Sequence, residues 1–291
     1  LLAGNAKVIL AGGMEIITNA PHLLPKGRSG IRIGHGQIFD HMMLDGLEDA
    51  YEAGRSMGTF GEDCAAKYNF TREAQDKFAT ASVERAQVAI KTGAFLAEIT
   101  PVTVKGRAGD TIISIDEGPG KIKLDKIAGL RAAFKKDGTI TAASSSSIND
   151  GAAALVMMRQ STADKSGVKP MARIVSHATH AQEPNWFATA PLGATQTALA
   201  KAGWTAKDVQ LWEINEAFAV VPMALMTELS LSHEIVNVNG GACALGHPIG
   251  ASGARIIVTL IHAMQARGLK RGLATLCIGG GEATAMAIEL I

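Results

Sequence analysis

His247 lies in a glycine-rich stretch of the sequence, Gly240–Gly253, where five glycines surround it and a proline follows it directly. Glycines let a backbone approach a ligand closely, and a histidine on such a turn can act as a general base near neutral pH. A core histidine with its hydrogen bonds satisfied and a phosphate-binding loop are the alternatives. The phosphate alternative is weak, because the Walker pattern needs a lysine where His247 and Pro248 stand.

Cys277 ends the apolar run LATLC and is followed, after one residue, by Gly279–Gly281. A cysteine in such a run is usually a small buried hydrophobic residue. Beside a histidine it can instead become a thiolate and act as base or nucleophile, and the glycine N–H groups that follow can stabilise an oxyanion.

Asn215 and Glu216 open a third polar turn, NEAFA, directly after the apolar run VQLWEI. Taken alone, Asn215 is interpreted as an ordinary helix N-cap and Glu216 as a favourable charge at a helix N-terminus. The three turns together are more specific, because a core needs neither a glycine-walled histidine nor a cysteine before three glycines.

No metal site is predicted, because the other histidines lack the paired spacing of a helical zinc motif. They occupy positions 22, 35, 41, 177, 180, 233 and 262. His177 and His180 lie on a strand-like segment and are expected to face opposite sides of it.

The three turns need strands to position them, and the sequence alternates between strand-like and helix-like segments from Met171 onward. Strands are predicted over ARIVSHATHA, VQLWEI and IVNVN, and helices over PLGATQTALAKAGW, EAFAVVPMALMTEL and SGARIIVTLIHAMQARG. This alternation predicts an α/β fold with a mainly parallel sheet covered by helices. Two further strands around Gly279–Gly281 add an antiparallel pair.

The first half of the chain mixes core-like and loop-like segments. The run AKVIL predicts a buried strand that ends at Gly12–Gly13, and GAAALVMM predicts another after the serine run Ser144–Ser147. Helices are predicted over TFGEDCAAKY and from an N-cap at Thr71 to about Thr92. Most of the remaining residues of 19–138 are typical of loops on the surface of a larger unit.

Length and composition narrow the class of protein. With 291 residues, two domains are expected, and the balance of 28 Lys and Arg against 27 Asp and Glu argues against nucleic-acid binding. An apolar content of 47% excludes overall disorder. Three cysteines are too few for a disulfide framework, and no apolar run is expected to reach the roughly 18 residues of a membrane helix. We therefore predict a cytoplasmic protein without a membrane partner.

Six segments follow one another as they do in thiolases: AGGME, SMGT, SSSINDGAAA, NEAFA, GGACALGHPIGASGAR and CIGGGEATA. The chain therefore resembles the thiolase family over essentially its whole length, and it is most similar to the biosynthetic acetyl-CoA acetyltransferases. The resemblance implies the thiolase fold, with layers α-β-α-β-α. It also implies the Claisen condensation of two acetyl-CoA to acetoacetyl-CoA and CoA, and the reverse thiolysis, with no cofactor besides these CoA thioesters. Ser56 departs from many biosynthetic members, which carry a histidine there.

The resemblance assigns roles residue by residue. His247 matches the histidine that activates the nucleophilic cysteine and helps bind the thioester oxygen. Cys277 matches the second catalytic cysteine, which takes a proton from the substrate methyl group and returns it. Asn215 matches the asparagine that holds a water in the first oxyanion hole, and Gly279 N–H matches a donor of the second. The positions that match CoA contacts and the tunnel lining are Ser146, Met57, Phe134, Ala217 and Phe218.

The resemblance also implies a division into three units. Residues 1–18 and 139–168 form the N-terminal domain, 19–138 a loop domain for CoA binding and tetramer contacts, and 169–291 the C-terminal domain. In thiolases the nucleophilic cysteine precedes AGGME, and no cysteine precedes it here. The N-terminal domain is therefore expected to be incomplete and these residues alone to be inactive. A homodimer or homotetramer is expected, as in the family.

Alternative functions stay open on the sequence alone. One is a degradative 3-ketoacyl-CoA thiolase of broader chain length, and another is a non-catalytic CoA-binding protein, since the nucleophile is missing. A β-ketoacyl synthase is disfavoured, because those enzymes use a histidine where Cys277 stands. Cys64, in a helical segment, and Cys243, in the glycine-rich stretch, are not expected to replace the nucleophile.

Overall fold

A computed structural model describes residues 1–291 and contains ten β-strands and eight α-helices. The strands are β1 (Val8–Glu15), β2 (His22–Leu23), β3 (Phe39–Asp40), β4 (Val102–Val104), β5 (Thr111–Ile113), β6 (Gly151–Met158), β7 (Ala172–Ala181), β8 (Leu211–Ile214), β9 (Arg271–Ile278) and β10 (Glu282–Leu290). The helices are α1 (Met57–Tyr68), α2 (Arg72–Thr92), α3 (Gly118–Lys121), α4 (Gln160–Ser166), α5 (Ala190–Ala202), α6 (Val220–Leu229), α7 (Ala242–Leu245) and α8 (Ile249–Arg267). A π-helix spans Met42–Leu47.

The main sheet has four strands in the order β7-β10-β9-β8. The pairs β7–β10 and β10–β9 are antiparallel, and only β9–β8 is parallel. The predicted antiparallel pair around Gly279–Gly281 is confirmed, but the prediction of a mainly parallel sheet is wrong. The alternation of segments records the order of elements along the chain, whereas strand direction is set by β10 folding back between β9 and the distant β7.

Helix α8 lies between the main sheet and a second sheet formed by β1 and β6, and it contacts β1 and β6 as well as β8 and β9. By length and composition it could cross a membrane, contrary to the expectation that no apolar run reaches that length. Its residues Ile256, Leu260 and Met264 are buried in a cluster with Leu211 of β8. The apolar composition of α8 therefore suits a helix with a sheet on each side.

Helix α5 covers the opposite face of the main sheet through small side chains. Ala190, Ala194 and Ala198 are fully buried in the same cluster as Ala283 and Ala285 of β10. Small residues allow a helix and a sheet to approach closely and still pack densely. A chain with only 4% aromatic residues builds its core in this way.

Strand β1 continues through Gly12 and Gly13, so the prediction that these glycines end the strand is wrong. It pairs antiparallel with β6 along its full length, from Val8 opposite Met158 to Glu15 opposite Gly151. A Cβ at Gly13 would lie 1.7 Å from the backbone oxygen of Gly250 in α8. The glycine therefore permits a close contact between strand and helix, and such close approach of another backbone is a common reason for a glycine inside a strand.

The segment IVNVN does not form the predicted strand. Val236 makes a single bridge with Trp212, and Asn237 then adopts a left-handed backbone with φ of 48°. The Asn237 side chain accepts a hydrogen bond from Ile214 N and donates one to Ile214 O, both at 2.8 Å. An amide side chain thus replaces the backbone of a neighbouring strand at the end of β8.

The helices predicted in the first half are confirmed as α1 and α2. The side chain of Thr71 caps α2 by accepting a hydrogen bond from Ala74 N at 3.2 Å. Phe78 of α2 is buried in a cluster with Cys243, so α2 packs directly on the C-terminal half of the chain. The division into three domains stays a prediction.

Candidate active site

The turns after β8 and β9 meet at one edge of the main sheet. These strands are parallel neighbours, so their carboxyl ends lie side by side, which is where α/β proteins place their sites. Asn215 follows β8, and Gly279 follows β9 after one residue. The interpretation of Asn215 as a helix N-cap is wrong, since α6 begins only at Val220.

His247 stands two residues before α8, and hydrogen bonds hold its ring at both nitrogens. Nε2 lies 3.4 Å from Asn215 Nδ2, and Nδ1 lies 2.6 Å from Ser252 Oγ. The backbone N–H of His247 donates to Ser147 O at 3.0 Å. The preceding Gly246 has φ of +87°, a conformation that residues with a side chain rarely adopt. The turn therefore presents this ring in one orientation.

The environment of His247 favours the neutral ring. Burial and, to a smaller extent, the positive charge of Arg255 lower the pKa of His247 to about 4. Desolvation disfavours a charged imidazolium, and a nearby cation disfavours it again. Near neutral pH the ring is uncharged, as a general base must be before it accepts a proton.

The AGGME segment fixes the start of α8 and thereby the place of His247. Gly13 allows β1 to touch Gly250, and the Glu15 carboxylate accepts a hydrogen bond from Gly250 N at 3.1 Å. A carboxylate at a helix N-terminus satisfies a free N–H group and interacts favourably with the helix dipole. The sequence offered no reason to connect these two distant segments.

The serine run Ser144–Ser147 is pinned to the turn after β8. Ser146 N donates to Ala217 O at 3.0 Å, and Ala219 N donates to Ser144 O at 2.8 Å. Ser145 and Phe218 form an isolated antiparallel bridge. The run is therefore ordered by backbone pairing beside the site.

A cavity of about 250 Å³ opens beside His247. Five residues that the sequence assigned to the site line it, namely His247, Ser146, Met57, Phe134 and Phe218. Lining residues that sequence reasoning did not assign include Met42, Met43 and Leu47, from the π-helix, together with Ile17 and Ile249. A pair of methionines gives no distinctive signal in a sequence. Their position on a π-helix, which is often found at functional sites, can be seen only in the structure.

Cys277 is buried in a cluster that includes Phe218, and Met57, Phe134 and Ala217 pack against the same cluster. Burial raises the pKa of the Cys277 thiol to about 12. The thiol is therefore protonated in this state, whereas the sequence reasoning had considered a thiolate. A protonated thiol can donate a proton first and act as a base afterwards.

Gly279 faces Met57, whose Sδ would lie 3.0 Å from a Cβ at that glycine. The N–H of Gly279 makes no hydrogen bond to a protein acceptor, so it is a free donor. The structure thus gathers all nine predicted site residues in one region, through the cavity, the Cys277 cluster and the contacts of Asn215 and Gly279. Their individual roles stay predictions.

Comparison with known proteins decides the family. The family model described as "Thiolase, N-terminal domain" matches residues 1–161, and "Thiolase, C-terminal domain" matches residues 168–290. The chain belongs to the thiolase family. It is 50% identical to the acetyl-CoA acetyltransferase of Chromobacterium violaceum, over 99% of this chain and 74% of that protein. It is 51% identical to that of Escherichia coli, over 99% of this chain and 73% of that protein.

Solved structures confirm the predicted thiolase fold. The acetyl-CoA acetyltransferase of Bacillus anthracis matches with a TM-score of 0.94 and 41% identity, over 99% of this chain and 73% of its own. Acat5 thiolase from Ascaris suum, solved with coenzyme A, matches with a TM-score of 0.92 and 41% identity, over 100% and 74% of the two chains. The prediction that the sequence belongs to an enzyme is confirmed by these relatives.

The expectation that a segment with the nucleophilic cysteine is missing is not supported by the family match, since the model of the N-terminal thiolase domain covers residues 1–161. The three thiols of this thiolase chain are all buried and free. Burial raises the pKa of Cys64 to about 12 and that of Cys243 well above its ordinary value. The ring of His247 is hydrogen-bonded to Asn215 and Ser252 rather than to any of these thiols.

Glu216 of the NEAFA turn is the centre of a buried network that sequence reasoning missed. Its carboxylate accepts hydrogen bonds from Ser82 Oγ at 2.7 Å, Asn237 Nδ2 at 2.8 Å and Cys243 N at 3.0 Å. These donors come from α2, the segment after α6, and α7. The interpretation of Glu216 as a charge at the start of a helix is therefore wrong. Its role in this thiolase is to hold three elements behind Asn215.

No group of three or more His, Cys, Asp or Glu side chains in this thiolase chain is arranged to hold a metal ion. His177 is exposed, whereas His180 is partly buried and packs its ring over Gly193 of α5. The expectation that no cofactor is needed beyond the CoA thioesters stays a prediction.

Proposed function

We propose that this protein acts as a thiolase-type acyltransferase, condensing two acetyl-CoA molecules to acetoacetyl-CoA and CoA and catalysing the reverse thiolysis. The observation that carries the proposal is a cavity lined by the neutral His247, Met57 and Phe218 at one edge of the main sheet. Asn215 contacts the His247 ring, the protonated Cys277 packs in the cluster of Phe218, and Gly279 lies beside Met57. A Claisen condensation needs a base, a proton carrier and donors for two negative oxygens. The acetyl-CoA acetyltransferases similar to this chain support the same reaction.

His247 and Cys277 divide the proton transfers between them. The neutral His247 ring takes the proton of the thiol that becomes acylated, and its N–H then points at the thioester oxygen. The Cys277 thiol first protonates the departing CoA thiolate and becomes a thiolate itself. It then removes a proton from the methyl group of the second acetyl-CoA, and the resulting carbanion attacks the acyl carbon. The cysteine thiolate that leaves recovers its proton from His247, so both residues end the cycle as they began it.

Asn215 and Gly279 serve the two oxyanions. Asn215 Oδ1 is buried and has no partner, which is unusual for a buried amide oxygen and suits a site for an ordered water. Such a water, held beside His247, completes the first oxyanion hole. The free N–H of Gly279 is a donor for the second oxyanion hole, since a preorganised backbone donor stabilises developing negative charge.

The cavity takes the pantetheine part of CoA. Its lining by Met57, Phe134, Phe218 and Ser146 combines apolar side chains with a hydroxyl, which suits a thin chain of methylene and amide groups. Ala217 supports this wall from the Cys277 cluster. The proposed partners are therefore CoA and its acetyl and acetoacetyl thioesters. The proposed location of the protein is the cytoplasm.

We propose that Cys64, Cys243 and Cys277 do not carry the acyl group, because none of these thiols is hydrogen-bonded to His247. Incubation of this chain with radiolabelled acetyl-CoA should leave its thiols unlabelled. Stable label on Cys64 or Cys243 would overturn this part of the proposal. A CoA-binding role without turnover is the second candidate, favoured by the same thiol geometry.

The reaction is tested on the purified gene product by acetoacetyl-CoA thiolysis. We expect Cys277→Ala and His247→Ala to lower kcat by about 10²–10⁴-fold, the range for loss of a general acid or base. Cys64→Ala is the matched control, because it removes a thiol of the same cluster that is equally buried. Equal losses in all three variants, or turnover only with longer 3-ketoacyl-CoA substrates, would contradict the proposal.

A further inference from the structure

Ser252 is a fully buried residue in the first turns of α8, five positions after His247. Its Oγ lies 2.6 Å from His247 Nδ1 and donates a hydrogen bond to Pro248 O at 2.9 Å. The helix start fixes it further, since Ser252 N also donates to Pro248 O, at 2.9 Å. No step of the reaction derived above uses this serine.

The direction of these hydrogen bonds decides where the proton of His247 sits. A serine hydroxyl has one proton to donate, and the Pro248 carbonyl oxygen at 2.9 Å can only accept it, whereas His247 Nδ1 can either donate or accept. Towards His247, the Ser252 oxygen can then only accept. Nδ1 of the neutral ring therefore carries the hydrogen and donates it to Ser252.

The other side of the ring agrees with this assignment. Nε2 faces the Asn215 amide nitrogen at 3.4 Å, and an amide nitrogen is only a donor. If Nε2 carried a hydrogen, two N–H donors would face each other, whereas an unprotonated Nε2 can accept the hydrogen bond from the amide. One nitrogen meets an acceptor and the other a donor, so both contacts select the same tautomer.

We propose that Ser252 is a positioning residue that holds His247 as the Nδ1–H tautomer and so directs the Nε2 lone pair towards the cavity. The catalytic consequence rests on the proposed function, because only there does Nε2 act as a base. The tautomer itself is a property of the folded protein and needs no substrate.

Distant residues support the serine in this task. Gly13 and Glu15 of β1 hold the first turn of α8 at Gly250, and that turn sets the distance from Ser252 to His247. The charged group that faces the ring is Arg255, one turn further along α8. Its positive charge disfavours the doubly protonated ring, so the ring is present as one of its two neutral tautomers.

The ring nitrogens report the tautomer directly in ¹⁵N NMR spectra of the histidine-labelled protein, with His247 assigned by comparison with His247→Gln. We expect Nδ1 of the unmodified protein to resonate as a protonated nitrogen and Nε2 as an unprotonated one. In Ser252→Ala, we expect a shift of population towards Nε2–H, the tautomer that free neutral histidine prefers in water. An Nε2–H ring in the unmodified protein would overturn the proposal, and so would an unchanged tautomer in Ser252→Ala.

Two variants separate this role from general packing. Ser252→Thr keeps the hydroxyl and should keep the Nδ1–H tautomer. Ser176→Ala removes another buried serine, which donates to Ala198 O at 2.6 Å, and should leave the His247 spectrum unchanged. Should Ser252→Ala fail to fold, the spectrum of the unmodified protein and of Ser252→Thr still decides the question.

A kinetic measurement then links the tautomer to the reaction. In the purified gene product, Ser252→Ala should lower kcat about 10- to 100-fold, as loss of an orienting partner does for ligating histidines, with KM for acetoacetyl-CoA unchanged. If the tautomer shifts and kcat does not, the proposed function of His247 fails while the assignment of Ser252 stands. If the tautomer does not shift, the assignment fails by itself.

Discussion

At the scale of single residues, the site depends on protonation states that differ from those of the free amino acids. His247 is kept neutral by burial and by Arg255, and Cys277 is kept protonated by burial. The two groups are thereby poised in opposite senses, one ready to accept a proton and the other to give one. Environments that separate two titratable groups in this way are typical of acid–base pairs.

The first prediction concerns the titration of His247. Its Cε1 resonance should show a single step at a pH of about 4, well below the ordinary histidine value, because burial and Arg255 penalise the charged ring. The unfolded chain takes up that proton at a higher pH than the folded one, so stability should fall as the pH drops from the ordinary histidine range to 4. A step in the ordinary range would contradict the environment described here.

Sequence reasoning identified the site residues better than their connections. The turns around Asn215, His247 and Cys277 stood out because polar groups and glycines interrupt apolar runs. Ser252 and Glu216 did not stand out, because a serine or a glutamate beside a helix start is ordinary. Their importance depends on partners that are distant in the chain, such as Ser82.

At the scale of elements, local patterns predicted helices and strands but not how strands pair. The N-cap residue Thr71 predicted the start of α2, and the three glycines Gly279–Gly281 predicted the turn between β9 and β10. The failure at IVNVN has a specific cause, since Asn237 in a left-handed conformation substitutes its side chain for a strand. The antiparallel direction of β7 relative to β10 could not be predicted from local sequence patterns either, because it depends on contacts between residues far apart in the sequence.

The second prediction concerns the contact between β1 and α8. Gly13→Ala should destabilise the protein by about 1–3 kcal/mol, because its Cβ would collide with the backbone oxygen of Gly250. Gly253→Ala, inside α8 and with open space around it, should instead stabilise the helix by up to about 1 kcal/mol. Denaturant unfolding of both variants measures the two free energies. The same sign for both would contradict the packing described.

At the scale of the whole molecule, the outer face of the β1–β6 sheet is an exposed apolar surface. Leu10 and Val156 are directly opposed across the two strands and are 73% and 68% exposed. Val8 and Met14, on the same strand at even spacing, are exposed as well. Contiguous exposed apolar surface of this kind marks association in soluble proteins, and an unpaired strand edge adds to it.

The third prediction follows from this face. The protein should associate in solution, in line with the expected homodimer or homotetramer, and the double variant Leu10→Lys and Val156→Glu should shift it towards smaller species. The opposite charges face each other across the strands and preserve the pairing of β1 with β6. Sedimentation velocity measures the change. An unaltered mass distribution would place the contact elsewhere.

The position of α8 between two sheets affects how fast different parts of the molecule open. A helix enclosed by two sheets loses its amide protection only when a large part of the fold opens, so its central amides should be among the slowest to exchange with deuterium. His247 and Ser252 sit at its start and share that persistence. The π-helix Met42–Leu47 is short and has no fully buried residue, so it can rearrange without opening the core. The part of the cavity lining that comes from the π-helix can therefore move while α8 stays closed, and the contact between His247 and Ser252 is kept.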